Sequence, residues 1–311
     1  TQNPCAGNNW IASTNADGGT PGIKNSVDAL NADQTAPQLK NAFTNDNKTI
    51  ILVFDEPVDS LSGAIISNYS IDGGISFIDA EPLSPLFNQV QLKTNNPLSS
   101  NAIYNITISN VTDCQGNTVG IANKAKTGLA VDAASGEAVI NEILFNPRSN
   151  ADDYVEFYNK SDKILDVSKL YIANRNGSGV ISSIGLLSTT PFYIFPGDYI
   201  VVTENADNLG LNYLVKNPNA VFVLSPLPSF PDDKGTVILL NQQGAIVDEV
   251  NYLDEWHFKL IDNAEGVSLE RIDGNGSSQN ADNWHSASST AGYGTPGSRS
   301  EERRVGKECR S

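Results

Sequence analysis

Period-two alternation limits this chain more than any other feature. In IYNITISN (residues 103–110), Ile103, Asn105, Thr107 and Ser109 alternate with Tyr104, Ile106, Ile108 and Asn110, which is the pattern of a half-buried strand. Similar short runs surround it. TIILVFDEPV (49–58) is an apolar, β-branched run that ends at Pro57, and NYSID, SFIDAEPL and QVQLKT lie between turn residues. Five or more short strands in about 100 residues, without a convincing helical period, predict a β-sandwich. The stretch KNSVDALNADQTAPQLKNAF (24–43) is polar, carries a lone Pro and reads as a linker into the first strand.

A second block starts near Gly136. AVINEILFN predicts a strand, as do DYIVVTEN after the turn FPGD and, late in the block, GVSLERID. In YVEFYN, Val155 and Phe157 face one way while Tyr154, Glu156 and Tyr158 face the other. GTVILLNQQGAIVDEVNY reads as a hairpin turning at residues 241–244. Residues 174–195 are rich in Gly, Ser and Thr and read as loop with short strands.

The chain also repeats itself. NNWIASTNADGGTPG (8–22) and DNWHSASSTAGYGTPG (282–297) share an Asn before a Trp, a small-residue run and Gly-Thr-Pro-Gly. Internal similarity of this kind marks an array of like domains. The expected division is therefore 1–27 as the closing strand of a preceding, truncated sandwich, 28–135 as one sandwich with its linker, and 136–298 as a second. Trp10 and Trp284 are each expected to bury a ring at a sandwich end. The final stretch RSEERRVGKECRS (299–311) breaks the style of the rest. It resembles the in-frame translation of a sequencing adapter and reads as an artefactual tail. With no Met in the chain, residues 1–298 read as a fragment open at both ends.

Charge and cysteine narrow the setting. A formal charge of −16 opposes binding to nucleic acid or anionic membranes, and no apolar run is long enough for a membrane span. With Cys309 in the adapter-like tail, Cys5 and Cys114 remain. An even pair suits an exported protein with one disulfide. Such a bridge would close a loop of about 100 residues, worth about 4 kcal/mol in the chain-entropy model. Two separate buried thiols are the alternative.

The second block resembles the lamin-tail domain as found in exported bacterial proteins. The resemblance rests on VINEILFNP, DYVEFYNKSDKILDVSKL, FPGDYIVVTEN, GTVILLNQQGAIVDEVNY, VSLERID and the closing NW…GTPG, in the family's order. It implies an immunoglobulin-like β-sandwich with no catalytic residues to carry over. The block before it, with FDEPVD, NYSI and ITISNVTDCQGNTV, is similar to bacterial Ig-like domains. Nuclear lamin tails are associated with chromatin, but no Lys/Arg cluster stands in residues 1–298 to meet phosphates.

Residues that could carry chemistry are few. His257 and His285 each adjoin a Trp and read as packing or surface residues. Nothing matches a nucleophile signature or the His/Cys spacing of zinc ligands. Glu142 and Glu156, with Asp152 and Asp153, could act as acid and base or hold calcium; strand-edge capping and pairing with Lys160 or Arg148 is the plainer reading. DGNGSSQNAD (273–282) starts like an EF-hand loop at Asp273, Asn275 and Ser277, but has Ser278 at its sixth place and Trp284 at its twelfth. Tyr154, Tyr158 and Tyr252 read as surface aromatics able to touch glycans or proteins. The whole predicts an all-β, non-catalytic structural or adhesive module of an exported cell-surface protein, with no cofactor, metal or catalytic residue. Its expected partners are neighbouring domains and surface glycans or proteins. The rival expectation is an accessory part of an exported hydrolase.

Overall fold

The computed structural model describes residues 12–28, 33–120, 123–261 and 263–299. Trp10, Cys5 and the adapter-like tail beyond Arg299 lie outside these residues. The chain separates into two compact units, dividing between Leu129 and Ala130.

The first unit is an antiparallel sandwich. Its strands are β1 (Leu39–Thr44), β2 (Thr49–Phe54), β3 (Tyr69–Ile71), β4 (Phe77–Pro82), β5 (Gln89–Thr94), β6 (Ile103–Ile108) and β7 (Lys124–Gly128). One sheet has the order β1-β2-β5-β4 and the other β3-β6-β7. Tyr104, Ile106 and Ile108 face inward from β6 and join Ile50, Leu52, Val90 and Leu92 in a core without charge, as the alternation requires. Strand β1 lies inside the stretch read as a linker. The register shifts between Leu39 and Asn41, and that bulge breaks the alternation by which a strand is recognised. A single turn, α1 (Ser60–Gly63), is capped by the Asp59 carboxylate, which accepts from the Ser62 amide.

The second unit has strands β8 (Ala138–Leu144), β9 (Tyr154–Asn159), β10 (Leu165–Asp166), β11 (Leu170–Arg175), β12 (Ile181–Leu186), β13 (Tyr193–Ile194), β14 (Tyr199–Thr203), β15 (Val221–Val223), β16 (Lys234–Asn241), β17 (Ile246–Leu253), β18 (Leu269–Arg271) and β19 (Trp284–Ser286). A six-stranded sheet, β15-β14-β9-β8-β18-β19, packs on a four-stranded sheet, β12-β11-β16-β17, and β10 pairs with β13. All pairs are antiparallel except β14 with β15. The hairpin β16–β17 turns where expected: the Asn241 side-chain oxygen accepts from the Gln243 and Ala245 amides, and Gly244 takes φ +76.

The outer face of the six-stranded sheet is covered as well. Helix α2 (Ala206–Asn212), begun by the Asn205 side chain accepting from the Asn208 amide, lays Leu209 and the following Tyr213 on Leu144, Tyr154 and Val201. This is why β9 is buried on both faces. Val155 and Phe157 enter the inter-sheet core, and Tyr154 and Glu156 lie under the cover.

Candidate functional site

The feature that most needs explaining lies beneath that cover. Glu142 on β8 is opposite both Glu156 on β9 and Glu270 on β18, so three carboxylates stand side by side across one sheet. All three are at most 1% exposed. A bulge at Asn141 makes the placement possible. The register shifts between Ile140 and Glu142, so Ile140 and Ile143 both reach the core while Glu142 points out. Like charges directly opposite repel, and burial adds a desolvation cost. Something must compensate.

The compensation comes from the closing Gly-Thr-Pro-Gly turn together with Asn141, Tyr154 and Ser268. One oxygen of Glu142 accepts from the Tyr154 hydroxyl (2.5 Å), the Ser268 hydroxyl (2.6 Å) and the Thr295 amide (2.9 Å). Glu156 accepts from the Gly297 amide and the Asn141 side-chain amide, both at 2.6 Å. The Thr295 hydroxyl lies 3.2 Å from the second oxygen of Glu142 and 2.8 Å from Glu270. That hydroxyl has one proton and cannot donate to both. A proton on Glu142 resolves the conflict: Glu142 donates to Thr295, which donates to Glu270. Burial, with the Glu270 charge second, raises the Glu142 carboxyl above the usual range, consistent with that proton. Gly294 fits against the Tyr154 hydroxyl and the Tyr213 ring so closely that a Cβ would collide. Gly297 takes φ +83, a conformation costly to any side chain.

On the inner side of β18, Arg271 is fully buried. Its Nε donates to the Ile140 carbonyl at 2.7 Å, one terminal nitrogen to the Gly276 carbonyl at 3.1 Å, and the other to Asp248 at 3.0 Å and to Ser278. Its guanidinium lies 5.2 Å from the centre of the Trp284 ring. Trp284 is buried, as expected from the repeat, and its indole N–H donates to the Ser278 carbonyl at 3.0 Å. The EF-hand-like loop is thereby accounted for. Its carbonyls at Asp273, Gly276, Ser277 and Ser278 accept from Asn283, Arg271 and Trp284, so they brace the sandwich and face no common point.

Other candidates fall in different places. Asp152 accepts from the Asn208 side chain at 2.8 Å. Asp153 is pushed up to about 7 by burial first and then by Asp232, Glu204 and Asp152. Glu142 and Glu156 draw their donors from the closing turn, Asn141, Tyr154 and Ser268 rather than from Lys160 or Arg148; Arg148 instead packs over Gly266. His257 is buried against Phe145 and bonds Ser286 Oγ at 2.9 Å. Ser286 Oγ also accepts from the Phe258 amide. Burial lowers this imidazole to about 4, so it stays neutral. His285 is partly exposed and sits 3.6 Å from Glu270. The reading of Tyr154 and Tyr252 as surface aromatics is overturned: both are fully buried, Tyr252 stacked on Phe145 at 4.3 Å. Tyr158 remains half-buried, stacked on Tyr199 at 4.7 Å. An open cleft of about 500 Å³ is lined by Trp256, Phe258, Lys259, Asp282 and His285, among others.

In the first unit, Asp33, Glu56 and Asp113 bring carboxylate oxygens within 4.8 Å of one another, the one such group among the described residues. A hard cation would suit three such oxygens. Burial, then Asp33 and Asp113, push Glu56 up to about 7. No sequence spacing points to this trio. Beside it, Cys114 is disulfide-bonded; its partner lies outside the described residues.

A two-sheet immunoglobulin-like sandwich whose larger sheet is sealed by a C-terminal turn defines the class of the second unit. Residues 132–254, within the second unit, match the family described as Lamin Tail Domain. No curated protein matches the chain. Among solved structures it is similar to the N-terminal part of the bacterial S-layer protein SbsC, at 13% identity and TM-score 0.29 over 70% of this chain and 44% of that one. It is also similar to a DUF4876 family protein from Bacteroides thetaiotaomicron, at 13% identity and TM-score 0.33 over 75% of this chain and 96% of that one. The chain thus spans less than half of the S-layer chain it matches.

Proposed function

We propose that the chain is a non-catalytic structural or adhesive part of a large exported protein at the cell surface, with neighbouring domains of the same polypeptide as its first partners. The observation that carries this reading is where the reactive groups are spent. The glutamates that could serve as acid and base are sealed under a closing turn, Arg271 is buried in the sandwich core, and His257 is neutral and bonded to Ser286. General acid–base chemistry needs such groups within reach of a substrate, and these three sets hold the sandwich together instead. The disulfide at Cys114 supports export into an oxidising compartment, and the net charge of −16 supports partners other than nucleic acid.

Two measurements test the reading. An antibody raised against the chain is expected to label intact cells of the source organism; labelling only after permeabilisation would overturn the surface placement. The purified chain is expected to release no product from a panel of ester, phosphoester, glycoside and peptide substrates. Turnover that disappears with Glu142→Gln would defeat the non-catalytic part.

A further inference from the structure

The first Gly-Thr-Pro-Gly segment has the shape of the second without the floor beneath it. Residues 13–22 (STNADGGTPG) align with 288–297 (SSTAGYGTPG) without a gap, sharing Ser, Ala and the whole Gly-Thr-Pro-Gly. The backbones agree over the closing part of the turn, although Gly292 (φ +78) aligns with Asp17, which is not left-handed. Gly18 (φ +80) corresponds to Tyr293 (φ +68), and Gly22 (φ +78) to Gly297 (φ +83). The Ile23 amide donates to the Thr20 carbonyl at 3.4 Å, as the Ser298 amide does to Thr295 at 3.1 Å.

Their surroundings differ completely. In the second copy the Thr295 and Gly297 amides are taken by Glu142 and Glu156. In the first, the Thr20 and Gly22 amides have no acceptor among the described residues, and the Thr20 hydroxyl turns to Asn25 at 3.3 Å on an exposed surface. A Cβ on Gly294 would strike Tyr154 and Tyr213, and one on Gly297 would come within 3.1 Å of the Asn217 amide nitrogen. On Gly19 it would meet only Pro21, at 3.9 Å, and on Gly22 nothing. A tight glycine turn with open space on every side has no packing reason to be there.

We infer that residues 13–22 are a closing turn for another lamin-tail sandwich, one that presents its own row of buried carboxylates like Glu156, Glu142 and Glu270. The Thr20 and Gly22 amides and the Thr20 hydroxyl are the donors for that row. The row at 142, 156 and 270 does not serve, because its own turn fills it. The inference stands on the two copies and is independent of the surface role proposed above.

The test grafts the first copy onto the second. In the full chain, Ser289→Thr, Thr290→Asn and Tyr293→Gly bring residues 288–297 to the sequence of 13–22 at every position but Gly292, which is kept because its φ of +78 would strain an Asp. The graft is expected to melt within about 4 °C of the parent and to keep the Thr295 and Gly297 amides protected from hydrogen exchange, while Thr295→Val in the same background melts lower. A graft that melts no higher than its Thr295→Val derivative, or leaves both amides unprotected, overturns the inference. Exchange in the unaltered chain gives a readout that does not depend on the graft folding. There the Thr20 and Gly22 amides are expected to exchange freely and the chain to sediment as a monomer. Protection of those amides in the monomer would show a partner within this chain, and protection with dimer formation would put a second copy in the role; either result overturns it.

Discussion

The two units solve the same architectural problem with different chemistry. The first closes by apolar alternation: Leu52, Val90, Leu92, Ile106 and Ile108 meet between two sheets, and among its described residues the buried polar ones are Asn68, Thr94, Asp113 and Thr127. The second has an apolar core of the same kind but also buries Glu142, Glu156, Glu270 and Arg271. The contrast follows from what covers each sheet. A sheet packed on another sheet brings no unpaired backbone groups to the interface. A sheet covered by an irregular turn meets free N–H groups, which need acceptors once water is excluded. The glutamate row supplies those acceptors. Buried charge in this molecule marks the place where a loop, rather than a strand, completes the fold.

The largest expected test of that contrast removes the cation of the second unit. Arg271→Met would leave Asp248 without its charge partner and strip donors from the Ile140 and Gly276 carbonyls. A loss of about 3–5 kcal/mol is expected, read as a lower midpoint for the second unit in a thermal melt. An unchanged midpoint would mean that the ion pair contributes nothing. Trp284→Ala comes next at about 3–5 kcal/mol from lost packing, and the freed Ser278 carbonyl adds to it.

Smaller effects sharpen the comparison. Thr295→Val keeps the amide bond to Glu142 but removes the hydroxyl between Glu142 and Glu270; about 1–3 kcal/mol is expected from denaturant unfolding. In the first unit, Ile106→Val has only an apolar methylene to lose, and about 0.5–1.5 kcal/mol is expected.

Glu142→Gln is the subtlest. Glutamine reproduces the protonated carboxyl, so its effect depends on pH. Because the folded-state pKa of Glu142 is raised, the folded protein holds this proton more tightly than the unfolded chain does. The group's stabilisation is complete below the ordinary carboxylate range and is lost as pH rises through the raised value. The variant is therefore expected to gain on the parent as pH goes from 5 to 8. A gap that stays constant would remove the proton from Glu142. His257 acts in the opposite sense: held near 4, it stabilises fully above its ordinary value near 6.5 and less as pH falls toward 4.

The strands were largely legible, because alternation is local. Tyr104, Ile106 and Ile108 point inward as read, the hairpin turns at Asn241–Gly244, and Val155 and Phe157 face the core. Three things were not legible, each for a physical reason. Strand β1 is interrupted by its own bulge. Tyr154 and Tyr252 alternate like surface residues, yet Tyr154 is covered by Tyr213, far along the chain, and Tyr252 stacks on Phe145. The carboxylate row joins residues 142, 156 and 270, and only strand pairing, together with a bulge that changes the parity of β8, brings them to one face. The same holds for Asp33, Glu56 and Asp113. What the sequence did display was the closing turn, through its repetition, while its acceptors stayed hidden.

That turn also fixes when the second unit can finish folding. A chain emerging from a ribosome or a translocation pore delivers β8 and β9 early, yet the last donors for Glu142 and Glu156 arrive only with Thr295 and Gly297. Until then the carboxylates stay hydrated and the sheet stays open on that side. Completion of this unit is thus set by the last of its own stretches to emerge.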